Sequence, residues 1–273
     1  MTIRVLLLSS VALIATETAP LAAPSARFPD WYFAVEGATL FTNPTVFTTI
    51  PSPPTELGNE TGGSGALTLG GAIDADHDWR IRLGVSAFDN QAKTTPGWTY
   101  ELTSHYAITT ADFEAGYRRA SEAGEFRFGA GLRALAVSEV STEDKVGTGD
   151  ADYQLNSEFA GLGPRVSLGY THHTAATPWG WSGSLAAAAI FGRRDMTPLG
   201  ITSPPAGSGA QTVLNAEGAI GLDYRASSSS LFTVGLRAEQ WWNLRGESSD
   251  SSLTVKSNVA NWGPFIRWTA YAP

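Results

Sequence analysis

Leu231-Phe232-Thr233-Val234-Gly235-Leu236-Arg237-Ala238-Glu239-Gln240-Trp241-Trp242-Asn243-Leu244 is the stretch whose reading decides the fold class. Phe232, Val234, Leu236, Ala238, Trp242 and Leu244 share one parity, while Thr233, Arg237, Glu239 and Asn243 share the other. Successive strand residues point to opposite faces, so this reads as a strand with one apolar and one charged face. The pattern recurs upstream. Phe126, Phe128, Ala130, Leu132 and Ala134 oppose Arg127, Gly129, Gly131 and Arg133, and Trp79, Ile81, Leu83, Val85 and Ala87 oppose Arg80, Arg82 and Ser86.

Ten such segments are expected, at 31–41, 66–74, 79–88, 106–118, 126–137, 159–171, 181–192, 213–225, 231–244 and 259–271. Alternation alone is shared by a soluble sandwich with its apolar face inward. Connection length separates the two. The gaps after the second, fourth, sixth and eighth segments hold roughly 4 to 9 residues and the other five roughly 14 to 24. Short turns at one end and long loops at the other are the pattern of an outer-membrane barrel, and an even strand count puts both termini at the short-turn end.

Aromatic residues mark the same end. Trp31 or Phe33, Trp79, Tyr117, Phe126, Tyr170, Trp181, Tyr224, Phe232 and Trp268 fall near the short turns on the apolar parity, with Phe41, Phe191, Trp242 and Trp262 at the opposite level. Tyr and Trp favour a membrane–water boundary because the ring is apolar and its O–H or N–H seeks water. The fold class expected is all-β, a single antiparallel up-and-down transmembrane barrel of about ten strands, within a range of eight to twelve.

Composition agrees and excludes much else. The 273 residues carry 29 Gly, 15 Pro, nine Trp, no Cys, only 16% charged residues and a net charge of -8. Without cysteine there is no disulfide framework, thiolate metal site, Cys nucleophile or N-terminal lipoprotein anchor. The acidic balance, with no basic run, argues against nucleic acid as a partner. Arg4, the apolar stretch Val5–Ala15 and the small-residue segment Thr16–Ala26 read as a signal peptide over residues 1–26, cut between 19 and 26, with the barrel over 27–273. An uncleaved anchor would need a longer apolar run of about 20 residues.

The polar parity places charge in the lumen: Arg80, Arg82, Arg118, Arg127, Arg133, Arg165, Arg225, Arg237 and Arg267 against Glu36, Asp112, Glu114, Glu217, Asp223 and Glu239, a wall of +3. The pore-lining set expected from this is Arg80, Arg82, Glu114, Arg118, Arg127, Arg133, Arg165, Glu217, Asp223, Arg237, Glu239 and Arg267. All three lysines, Lys93, Lys145 and Lys256, fall in the expected long loops.

Four stretches carry a family likeness: Asp112-Phe113-Glu114-Ala115-Gly116-Tyr117-Arg118, Phe159-Ala160-Gly161-Leu162-Gly163-Pro164-Arg165-Val166, Gly235-Leu236-Arg237-Ala238-Glu239, and Trp262-Gly263-Pro264-Phe265-Ile266-Arg267. Together they resemble the Legionella-type major outer membrane protein family, over about residues 31–271. The resemblance implies a pore-forming outer-membrane barrel and transfers no catalytic residue.

No enzyme motif is present, and no enzymatic activity or cofactor is expected. His77 lies among Asp74, Asp76 and Asp78, without the Gly and terminal Glu of an EF-hand loop, and reads as a solvated turn. His172 and His173 are expected in a short turn before Pro178, and Ser104 and His105 on opposite faces of a strand. Glu139, Glu143, Asp144, Asp150, Asp152 and Glu158 outnumber Lys145 in an expected external loop of charge -5, read first as solvated and second as a gatherer of divalent cations. Thr42 to Gly65, rich in proline, reads as a mobile external segment.

The expected function is a narrow, Arg-lined passive route for small solutes or ions through the bacterial outer membrane. The alternative is a nonconducting structural or adhesive barrel whose external loops do the work. A third reading, an outer-membrane hydrolase, would require a base and nucleophile that the sequence does not show, and a soluble exported barrel holding a small ligand is a fourth. The partners expected are outer-membrane lipid, lipopolysaccharide and small solutes or ions, with room for an oligomer.

Overall fold

The computed structural model describes residues 31–42, 46–49, 55–56, 60–93, 100–121, 124–145, 151–173, 177–200, 207–244, 253–255 and 258–272. The segment read as a signal peptide, Lys256 and Asp150 lie outside them. The strands in chain order are β1 (Trp31–Thr42), β2 (Val46–Thr49), β3 (Thr55–Glu56), β4 (Glu60–Ala72), β5 (His77–Lys93), β6 (Tyr100–Ser121), β7 (Gly124–Lys145), β8 (Ala151–His173), β9 (Trp179–Gly200), β10 (Gly207–Ser227), β11 (Ser230–Trp242), β12 (Leu253–Val255) and β13 (Val259–Tyr271). Ten of them, β1, β4–β11 and β13, close into one antiparallel barrel with every neighbour in chain order. Closure is made by β1 against β13, from Tyr32 opposite Tyr271 to Thr42 opposite Asn261. The other three pair as a small sheet in the order β12-β2-β3.

The ten barrel strands are the ten expected, but several run far beyond their expected ends. β6 to β10 have 21 to 23 residues each, about twice the 9–11 that a tilted strand needs to cross lipid. The long connections after β5, β7 and β9 are therefore mostly hairpin and not loop. Lys93 and Lys145 end strands, and Thr42 to Gly65 contains the start of β4 as well as β2 and β3.

The same extension separates two members of the acidic cluster in the fifth connection. Glu139 lies within β7 facing inward and buried, and Glu158 within β8 facing outward and exposed. Two carboxylates on opposite faces of the wall cannot share one cation.

The outward side chains match the expected apolar parity. Leu132, Leu236, Ile220 and Phe191 are all exposed. Trp31 and Phe41 on β1, Trp181 and Phe191 on β9, and Phe232 and Trp242 on β11 are each ten positions apart, which sets the two aromatic levels one hydrocarbon thickness apart. Cross-strand ring contacts join the short-turn level: Phe126 to Tyr170 at 4.5 Å, Tyr170 to Trp181 at 5.0 Å and Trp179 to Tyr224 at 4.8 Å.

Above the outer aromatic level the alternation continues with its sign reversed. Outward positions become polar, as at Asp89, His105, Ser138, Glu158 and Arg193, while inward positions become apolar. Leu40, Phe88, Tyr106, Ile108, Leu135, Val137, Phe159, Ile190, Val213, Trp241 and Val259 form a buried core inside this part of the barrel. Where lipid is outside the wall is apolar outward, and where water is outside it is apolar inward. One alternating strand serves both solvents by changing which parity carries the hydrophobic residues.

Leu244 corrects the sequence reading. Its sequence parity with Trp242 predicts a lipid-facing side chain, yet it is fully buried in this core. β11 ends at Trp242 and Asn243 takes a left-handed backbone with φ of 57°, a conformation asparagine tolerates better than most residues. That turn breaks the alternation and swings Leu244 inward.

Candidate functional site in the barrel lumen

All twelve residues expected to line the lumen lie on the inward parity; eleven of them form ion pairs in two groups, one around Arg133 and Glu114 and one around Glu36, and Asp223 meets His173 instead. At the centre of the first group Arg133 on β7 is almost wholly buried. Its Nε and Nη2 donate to the two carboxylate oxygens of Asp112 on β6, each at 2.7 Å. Its Nη1 and Nη2 also donate to Asn215 Oδ1 at 2.5 Å and Glu217 Oε1 at 3.0 Å, both on β10. β8 and β9 separate β7 from β10 in the wall, so these bonds cross the lumen. Arg165 on β8, between them, ties both sides together, donating to Glu114 Oε1 on β6 at 2.6 Å and pairing with Glu217 on β10.

Below this layer, Glu114 also accepts from Arg80 at 2.6 Å, Arg127 at 3.0 Å and Ser167 at 2.9 Å. Arg127 and Arg118 converge on Asp78, at 2.8 and 3.5 Å. On the opposite arc Glu36 faces Arg237 at 2.7 Å, Arg82 at 3.4 Å and Arg267 at 3.9 Å, and Arg237 pairs with Glu239 as well. Asp223 accepts from Thr233 at 2.7 Å and Ser182 at 3.2 Å, with His173 Nε2 at 3.4 Å.

Above the layer the apolar core begins, and cations touch it. The Arg133 guanidinium lies 5.9 Å from the Trp241 ring centre and that of Arg194 lies 5.6 Å from Phe159. Ser64, Arg82, Thr110, Arg133, Glu217 and Trp241 surround a cavity at this level with room for about one water.

Sequence reasoning missed four members of the lumen. Asp78 and Glu125 lie one residue before the expected starts of their strands, and Glu139 and Arg194 lie beyond the expected ends, yet all four are on the inward parity. With them, ten arginines face Glu36, Asp78, Asp112, Glu114, Glu125, Glu139, Glu217, Asp223 and Glu239, so the wall of +3 becomes a nearly neutral one. Continuing each parity through the flanking turn residues would have found Asp78 and Glu125.

The remaining histidines sit outside this network. His77 Nδ1 is 2.9 Å from Asp74 in the turn between β4 and β5, whose carboxylate also accepts the amides of Asp76 and His77. The Asp76 amide first, and then His77, hold the Asp74 carboxyl below its ordinary range. Ser104 and His105 point to opposite faces, and His105 meets Asp89 at 2.7 Å on the outer surface. His172 and His173 belong to β8 and not to a turn, and His172 packs against Trp181. Among the described residues no group of three or more His, Asp or Glu side chains is placed to hold a metal ion.

Comparison with solved structures returns outer-membrane barrels. The transport unit of the autotransporter AIDA-I from Escherichia coli is 12% identical, with 93% of each chain covered and a TM-score of 0.48. The translocator domain of the autotransporter NalP from Neisseria meningitidis is 9% identical, covering 87% of this chain and 88% of that one, with a TM-score of 0.44. The outer membrane protein OprG from Pseudomonas aeruginosa is 10% identical, covering 90% and 99%, with a TM-score of 0.40. No curated protein matches the sequence. The model of the family described as Legionella pneumophila major outer membrane protein precursor matches residues 67–270, three quarters of a chain that closes into a ten-stranded barrel with an apolar belt and a charged lumen. The protein belongs to that family, and its place is the bacterial outer membrane.

Proposed function

We propose that the protein is a narrow, low-conductance pore, and that small ions or solutes pass it along the arginine–carboxylate layer when side chains crossing the lumen move aside. The observation that carries this reading is the charge buried at membrane depth. Arg133, Arg165, Asp112 and Glu114 are nearly inaccessible. Replacing such a buried network by well-packed apolar residues is often neutral or stabilising, and ionisable groups at membrane depth commonly mark ion or solute routes. Family membership supports the reading. The route is occluded in the state described, by Arg133 and Arg165 across the lumen and by the apolar core above them.

That core favours the second reading, a nonconducting structural barrel. Purified, folded protein in a planar bilayer separates the two. The pore reading expects small, infrequent conductance steps, because a barrel of about eight strands is filled by its own side chains and ten leave little more. Silence in repeated insertions of verified folded barrel favours the structural one.

A further inference from the structure

The lower half of the lumen is lined unequally. On the arc of β5 to β8 it carries Arg80, Arg82, Glu114 and Arg165. The adjoining arc of β8 to β10 carries Gly169, Ser182, Ser184, Ala186 and Ala219 between the inward Glu217 and Asp223 of β10, and none of these five small residues reaches across the lumen. Ser184 faces inward by its register, opposite Gly169 on β8 and Ala219 on β10, and its outward neighbour Leu185 is on the lipid side. Ser184 is nevertheless exposed, and Ala186, Ala219 and Gly169 are partly so. Four to six positions up the same strand pair, Ala188, Ile190 and Val213 are buried. Accessible space inside the barrel is thus confined to its lower half and stops at the apolar core.

The charges that reach this space are unequal too. Arg267 keeps 32% of its side-chain surface, Arg80 25% and Arg82 17%, while Glu125, 3.9 Å from Arg118, keeps 30%, Glu36 and Glu217 15%, and Glu114 and Asp223 1% each, so the accessible balance leans positive with Glu125 as its one well-exposed acid among these. Glu36 is shared among three guanidiniums, so it cannot neutralise them all. The wall is nearly balanced in number, but the accessible part of it is positive.

From this we infer that the lower lumen is a blind, aqueous vestibule that opens toward the short turns on the periplasmic side and accepts small anions, chloride or a carboxylate, beside Arg267 and Arg80. The inference deepens the pore reading by naming the class of solute that would enter, but it holds equally for a barrel that never conducts.

The chain contains no cysteine, so single cysteines report accessibility without background. Ser184→Cys and Ala219→Cys, each in folded barrel at low salt, should react with an anionic methanethiosulfonate reagent about tenfold faster than with a cationic reagent of the same size, the lower end of electrostatic rate enhancement in a charged cleft. Arg267→Gln should bring that ratio toward one, and 1 M salt should do the same. Val213→Cys and Ile190→Cys should stay inert. Both reporters inert in a verified folded barrel would overturn the vestibule, equal rates for the two reagents would overturn its anion preference, and reaction at Val213→Cys as fast as at Ser184→Cys would overturn the blind end. Conductance without labelling would sink this inference and leave the pore reading standing, and labelling without conductance would do the reverse.

Discussion

Gly131 and Gly235 show how close neighbouring strands come at the inner surface of the wall. A methyl group at Gly131 would overlap the carbonyl oxygen of Phe113 on β6, and one at Gly235 the carbonyl oxygen of Ile220 on β10. These are backbone atoms of paired strands and cannot step aside as a side-chain tip can. Gly37, on the lipid side of β1, has nothing within 4 Å of the same position. Gly131→Ala should therefore cost about 1–3 kcal/mol of folding stability, the range for overpacking a tight site, while Gly37→Ala should stay within about 0.5 kcal/mol. Urea titration of folding into lipid vesicles measures both, and equal losses at the two sites would show that the inner surface gives way. The sequence marks both glycines as lumen-facing. It does not show that the obstacle is backbone, because strand curvature is not written in any one residue.

At the scale of the strand, β7 displays what was legible and what was not. From Phe126 to Ala134 the apolar residues are on one parity, and from Leu135 to Val137 on the other. The expected segment stops at Val137, because Ser138, Glu139, Ser141, Thr142, Glu143 and Asp144 beyond it are nearly all polar, and polar residues near a turn read as loop and not as hairpin. The reversal follows from the change of outer solvent from lipid to water, and it was present in the residues. Closure of β1 on β13 and the order of strands followed from even count and short turns alone. The pairing of individual charges did not, since Arg133 reaches Glu217 across three strand spacings that no sequence pattern encodes. The parity assignment is tested in the membrane part. Leu132→Arg and Leu236→Arg place charge on positions 49% and 57% exposed to the lipid side, and each should cost roughly 2–4 kcal/mol if near the midplane. Folding into vesicles that is insensitive to both would invert the inside-out assignment.

For the whole molecule, on the proposed pore reading, the two lumen layers would present different obstacles to a passing ion. The ion-pair layer offers polar groups that can replace hydration, and salt weakens it, since the Debye length falls from about 10 Å at 0.1 M to about 3 Å at 1 M. The apolar core offers nothing in place of water, and salt leaves it unchanged. In series, the apolar core should set the conductance and the charged layer the preference among ions. Trp241 sits at the junction, fully buried, with Arg133 beneath it and Glu239 Oε2 accepting from its Nε1 at 3.3 Å. Trp241→Ala should lose about 3–5 kcal/mol of stability and raise the single-barrel conductance, with an ion preference that flattens between 0.1 and 1 M salt. Trp241→Phe, which keeps most of the bulk, should leave conductance near that of the unaltered protein and serves as the control for folding. Planar-bilayer recording of the three proteins under a salt gradient gives both conductance and the sign of the preference. A folded Trp241→Ala barrel no more conductive than the original would place the barrier in the Arg133–Arg165 crossing instead, where salt alone should then change the conductance.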